Sequence, residues 1–218
     1  MVDEEPPMIA PAGPAVLLGQ YDSAFVRRVA ITMTHYGVPF ERRVLSVFGD
    51  FADVQKLNPL GKVPALFLPD GMVLLDSAMI LDYLDEQAGP EIALTPPHGL
   101  ARHQILQTAT IACVMAEKTM EYRGETVRRP AEKSMPEVAE RHLAQILGAL
   151  DWLEASLGTK TWFWGNKMTQ ADITAAVCFT NLAGKIERAN ANTRAPNLRA
   201  LAERCEALPI FQAVPFDQ

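Results

Sequence analysis

Two serines stand where a helix is about to begin. Ser23 precedes Val26, Val29, Ala30, Met33 and Tyr36, a spacing that predicts a helix over about 24–36, stopped by Gly37. Ser77 opens a second predicted helix over 77–87, with Ile80, Leu81, Leu84 and Ala88 on its apolar face. A helix start exposes unpaired amides and a partial positive charge. A serine there can be an ordinary cap, or it can present its hydroxyl to an anionic ligand. Lys62 lies between the two in the run Asn58-Pro59-Leu60-Gly61-Lys62-Val63-Pro64 and adds a full positive charge. The chain as a whole carries −6, so an anion would bind only where a local cationic site defeats that field. Lys62 and the two helix starts supply one.

Other chemistries find less support. Cys113, Cys178 and Cys205 are far apart, without a CxxC or zinc spacing, and sit in apolar helical patterns as core residues do. His35, His98, His103 and His142 form no metal-like cluster, so no metal is expected. The acidic charge without a basic stripe argues against nucleic acid. No apolar run approaches the ~20 residues of a membrane helix. Residues 1–13, acidic and proline-rich, lack the pattern of a signal peptide and read as a flexible tail, so the expected location is cytoplasmic.

Positioning those serines requires elements around them. Ala15–Tyr21 is a buried-strand candidate, Phe40–Val47 a second, and residues 50–57 a short helix. Val63–Leu68 and Met72–Leu75, separated by Asp70-Gly71, read as a hairpin. The first part of the chain, 14–88, is thus βαβ followed by ββα, an α+β layout with a mixed four-stranded sheet of thioredoxin-like type. Residues 89–99, rich in Gly and Pro, read as a linker. Beyond them, 100–218 is all-α. Ile105, Ala109, Ala112, Ala116 and Met120 mark one long helix. Ser134-x-x-Glu137 looks like the capping box of a second, with Leu143, Ile146, Leu147, Leu150, Leu153 and Leu157 as its stripe. Thr169 and Asp172, flanked by Met168 and Ile173, form a capping box and hydrophobic staple for a third. A last helix spans about 197–207 and stops at Pro209.

Four segments in order resemble the glutathione S-transferase superfamily. Asp22-Ser23-Ala24-Phe25-Val26-Arg27-Arg28-Val29 resembles the Ser-Pro-Phe-x-x-Arg-x-Val start of its serine-type plant and bacterial members. Asn58 to Leu66 is similar to its NPxGKVPxL run. Asp76-Ser77-Ala78-Met79-Ile80-Leu81-Asp82-Tyr83-Leu84 is similar to Glu-Ser-x-x-Ile-x-x-Tyr-Leu, and Trp164-Gly165 through Ile173 to the capped helix of its second domain. The resemblance covers about 15–211. Ala24 departs from the usual proline, and Asp76 from the usual Glu or Gln.

The resemblance implies a thioredoxin-like domain followed by a helical bundle, and glutathione as co-substrate. It implies Ser23 as the catalytic donor that stabilises the thiolate, with Tyr21 as the rival donor. Val63 and a cis Pro64 would pair with the cysteinyl backbone. Ser77 would hold the γ-glutamyl carboxylate, Asp76 the ammonium and Lys62 the glycyl carboxylate. A small apolar electrophile would lie along Thr108, Ala112, Met115, Thr119 and Tyr122, a face that packing against a neighbour explains equally well. Arg27 and Arg28 read as structural or dimer-interface charges, and a homodimer is implied. Disulfide or peroxide reduction, isomerisation or dehalogenation would use the same site, and a non-catalytic binding protein would keep the fold.

Overall fold

The most apolar runs become the inner strands. In the computed structural model, Ala15–Leu18 (β1) and Ala65–Phe67 (β3) lie at the centre of one sheet. Phe40–Arg43 (β2) and Val73–Leu74 (β4) form its edges, in the order β2-β1-β3-β4. β1 runs parallel to β2 and antiparallel to β3, with Leu17 opposite Leu66, and β3 is antiparallel to β4. The sheet is therefore mixed. The structure describes residues 13–217. Residues 1–12, most of the tail expected over 1–13, lie outside the described residues.

Three helices complete this unit: Ala24–His35 (α1), Phe51–Leu57 (α2) and Ser77–Ala88 (α3). α1 and α3 pack on each other and reach the sheet through β1 and β3. Val26, Val29, Ile31, Met33, Ile80 and Leu84 are buried along them, as the helical spacing required. The strands are shorter than the sequence predicted. Strand character over 44–47 and 19–21 is not realised, because those residues find no ladder partner beyond Arg43 and Leu18.

The second unit is all-helical. It consists of Leu100–Arg123 (α4), Pro136–Leu157 (α5), Gln170–Lys185 (α6), Ala191–Arg194 (α7), Pro196–Glu206 (α8) and Pro209–Gln212 (α9). α4 packs on α5 and α6, and α6 on α8. α6 is buried nearly all round, the mark of a central helix. Its capping box, Thr169 with Asp172, is present. The box expected at Ser134 is not. α5 begins with Pro136 in its first turn, a position that needs no N–H. Ser134 Oγ instead donates to the Glu125 carbonyl at 2.9 Å, and the Glu125 carboxylate accepts from the Met135 amide at 3.3 Å.

The chain divides into one unit up to Ala93 and another over Leu94–Gln212, and the segment from Ala213 onward belongs with the first. The sequence pattern places that segment in the helical domain, 100–218. It groups with the sheet because its carbonyl and carboxylate groups find their donors there.

Candidate functional site

Ser23 is the N-cap of α1, half-buried, with its Oγ accepting from the Val26 amide at 3.4 Å. That bond is long, and it uses only an oxygen lone pair. A hydroxyl has one proton to donate as well. Among the described residues nothing receives the Ser23 proton, so the start of α1 is a capped helix end with an uncommitted donor.

The loop before Ser23 brings a second element close. Gly19 has φ +126°, and a Cβ on it would meet Val26 Cγ2 at 2.6 Å and Val63 Cβ at 3.0 Å. Only glycine lets the loop pass between the first turn of α1 and Val63. The Val63–Pro64 bond is cis, as is Leu75–Asp76. Among the described residues, no hydrogen bond uses the amide or the carbonyl of Val63. This is a half-buried stretch of backbone with its pairing groups open, lying next to the start of α1.

Buried Asn58 holds the turn that leads there. Its Nδ2 donates to the Lys62 carbonyl at 2.8 Å and its Oδ1 accepts from the Leu60 amide at 2.9 Å. Gly61 completes the turn at φ +61°, where a Cβ would strike the Phe51 ring at 2.7 Å. The Lys62 side chain is exposed.

At the start of α3, Asp76 is the N-cap, and its Oδ1 accepts from the Ala78 amide at 2.8 Å. Ser77 is buried, and its hydroxyl accepts from Arg28 Nη2 at 2.6 Å. Arg28 is only 5 % exposed, its Nε has no partner, and among the described residues no carboxylate pairs with it. A guanidinium held out of water without a counter-charge favours any anion brought near it. The Ser77 hydroxyl can therefore donate a hydrogen bond forward to a carboxylate while Arg28 supplies charge from behind. The sequence offered Arg28 as a structural or interface charge. The structure buries it against Ser77.

Tyr21 is also buried, with its ring beneath the Arg42 guanidinium at 4.0 Å. Burial pushes its phenol above the ordinary value, with Arg42 partly opposing. Its backbone amide donates to Asp217 Oδ2 at 2.6 Å, and Arg42 Nη1 donates to both oxygens of the same carboxylate, at 3.0 and 2.9 Å. Arg27, buried one turn into α1, donates from Nε to the Val214 carbonyl at 2.9 Å. Sequence reasoning missed Arg42 and Asp217. Asp217 is 196 residues from Tyr21, and no local pattern signals such a pairing.

The face expected to line a second-substrate cleft is not an open wall. Thr108, Ala112, Met115 and Thr119 are fully buried and Tyr122 nearly so. Thr108 Oγ1 accepts from Trp164 Nε1 at 3.0 Å and donates to the Gln104 carbonyl at 3.0 Å, and Thr119 donates to the Met115 carbonyl. Their polar groups are used up within the helical unit. Among the described residues, no group of three or more His, Cys, Asp or Glu is placed to hold a metal ion. None of the described helices is long and apolar enough to cross a membrane.

The chain matches the family model for the glutathione S-transferase N-terminal domain over residues 17–92 and that for the C-terminal domain over residues 107–209. It is 30% identical over 167 residues to hematopoietic prostaglandin D synthase of Gallus gallus, covering 75% of this chain and 76% of that protein. A glutathione S-transferase from Methylobacterium radiotolerans, crystallised with glutathione sulfonate, aligns with a TM-score of 0.87 at 27% identity, covering 94% of this chain and 96% of that one. A glutathione transferase family member from Pseudomonas fluorescens Pf-5 with bound glutathione aligns at 0.83 and 28%, covering 94% and 100%.

Proposed function

The chain belongs to the glutathione S-transferase family, and on that premise we propose that it binds glutathione and ionises its thiol for attack on a small apolar electrophile. The observation that carries this reading is the open start of α1, where the Ser23 proton is uncommitted beside the unpaired backbone of Val63. A free thiol titrates near ~8.5 and is a poor nucleophile at neutral pH until it loses its proton. A hydroxyl donor and a helix N-terminus both favour the thiolate over the thiol. The mechanism is electrostatic stabilisation, not proton abstraction by a base. The thiol proton leaves to solvent, and the sulfur lone pair forms the new bond to the electrophilic carbon while the bond from that carbon to its leaving group breaks; with a chlorodinitrobenzene, chloride departs to solvent with the C–Cl electron pair.

The remaining contacts follow from the chemistry of the tripeptide. The amide and carbonyl of Val63 pair with the cysteinyl backbone as an added strand would. Ser77 takes the γ-glutamyl carboxylate, with the α3 N-terminus and Arg28 behind it. Asp76 faces the ammonium with the carboxylate that also caps α3. Exposed Lys62 reaches the glycyl carboxylate. Tyr21 is the weaker candidate for the thiol, because its ring is buried beneath Arg42. A cytoplasmic homodimer engaged in detoxification is the setting this reading implies.

The test is retention on immobilised glutathione with release by free glutathione, followed by conjugation to a chlorodinitrobenzene electrophile. Specific retention with turnover supports the reading. Retention without turnover replaces conjugation with another glutathione-dependent reaction at the same site or with a carrier, and no retention ends all of these readings.

A further inference from the structure

The segment from Ala213 onward returns to the first unit and closes on the loop that delivers Ser23. The loop Gly19–Ser23 is fixed at its ends, where the Gly19 amide donates to the Arg43 carbonyl at 2.9 Å and Ser23 caps α1. Between them, among the described residues, the Tyr21 amide finds its acceptor only in the Asp217 carboxylate, at 2.6 Å. A hydrogen bond to an ionised acceptor is about twice as strong as a neutral one. The carboxylate is held in turn by Arg42, whose guanidinium lies over the Tyr21 ring. Residue 21 is thus gripped on its amide side by Asp217 and on its ring face by Arg42, and the two grips are joined by an ion pair. Two further contacts seat the segment, the bond from Arg27 Nε to the Val214 carbonyl and the Arg27 guanidinium 5.9 Å from the Phe216 ring.

We propose that Asp217 is a positioning residue for the thiol-activating loop, clamping the Tyr21 amide so that Ser23 is held at the right distance from sulfur. The inference rests on the reading of Ser23 given above. Asp217 does not act on glutathione itself. It acts two residues away, through the backbone. Displacement of a donor by about 1 Å can cost on the order of a hundredfold in rate, so a clamp on the loop carries functional weight. It also explains why this segment belongs with the sheet unit although the chain reaches it from the helical one.

The test compares the full chain with Asp217→Ala and Asp217→Asn. Both change a partly exposed side chain, and the carboxamide of Asn still accepts from the Tyr21 amide while losing the charge that pairs with Arg42. Hydrogen exchange without ligand reads the clamp directly. The Tyr21 amide should exchange at least about tenfold faster in D217A and less so in D217N. The ultraviolet titration of bound glutathione reads the consequence. The thiol pKa should rise by about one unit in D217A, roughly a tenfold loss of thiolate below it, and be partly restored in D217N. Glutathione affinity should stay within about twofold, since no γ-glutamyl or glycyl contact is touched. A merely structural strap would lower the melting temperature and leave the thiol pKa unmoved. Unchanged Tyr21 exchange overturns the proposal, and so does an unchanged thiol pKa in D217A where the wild-type value is lowered. A wild-type thiol with no lowering sinks the reading of Ser23 instead, and the exchange rates alone then decide the clamp.

Discussion

Two helix starts in this molecule use similar residues to opposite ends. At α6, Thr169 and Asp172 close on each other in a capping box. The Asp172 carboxylate accepts from the Thr169 amide, the Thr169 hydroxyl and the Phe163 amide, all at 2.8 Å, and Asp172 is fully buried. At α1, Ser23 makes one 3.4 Å contact, stays half-buried and keeps its proton. A closed cap satisfies the orphan amides of a helix and contributes to the fold. An open one leaves positive potential and a donor for a ligand. The two neighbourhoods should shift a thiol in opposite directions. Cys205, near Asp172 in the helical unit, is pushed up to about 12, first by burial and then by the Asp172 charge. The thiol of glutathione at α1 should be pushed down.

Four results would break or sharpen this contrast. Ser23→Ala should lower kcat/KM for conjugation by about a hundredfold, the usual cost of one preorganised donor to a developing anion, measured in steady state. It should cost about 0.5 kcal/mol of stability, because the cap contact is long. Asp172→Ala should do the reverse. Three donors, one buried and two part-buried, lose their acceptor, for about 3 kcal/mol or roughly a hundredfold in the folding equilibrium, while turnover per folded molecule holds; denaturant titration and active-site counting separate the two. If Ser23→Ala destabilises more than Asp172→Ala, the contrast between open and closed ends is wrong. Ser77→Ala should raise the KM for glutathione about tenfold with kcat within about twofold, because it removes the link between Arg28 and the carboxylate. The smallest effect is at alkaline pH. Tyr21 has its phenol raised by burial, so the folded state keeps a proton that the unfolded chain releases near pH ~10. Its contribution to stability is fully present below that pH and is lost as pH rises through the higher folded value. Denaturant midpoints should fall above pH ~10, and less steeply in Tyr21→Phe.

Much of this was legible in the sequence, for local reasons. The starts of α1, α3 and α6 follow from a capping residue placed just before an apolar helical pattern. The Asn58–Pro64 turn follows from its Pro and Gly. Three things were not legible. The Ser134 box failed because α5 starts one residue later than expected, with Met135 as its N-cap, which leaves Ser134 outside the helix with its hydroxyl donating to the Glu125 carbonyl; periodicity does not fix a boundary to one residue. The Thr108–Tyr122 face carries enough polar groups to look like a ligand wall, yet intrahelical carbonyls and Trp164 satisfy them. Asp217 was invisible because its partners are a backbone amide and an arginine 175 or more residues away.

The central claim is that the start of α1 ionises a thiol, and the absorbance of bound thiolate against pH tests it most directly. With saturating glutathione, the account predicts a pKa at least one unit below the ~8.5 of a free thiol in the wild type, returning toward that value in Ser23→Ala. A wild-type thiol that titrates near the free value despite tight binding would contradict it, and the open cap would then be a place that holds glutathione without activating it.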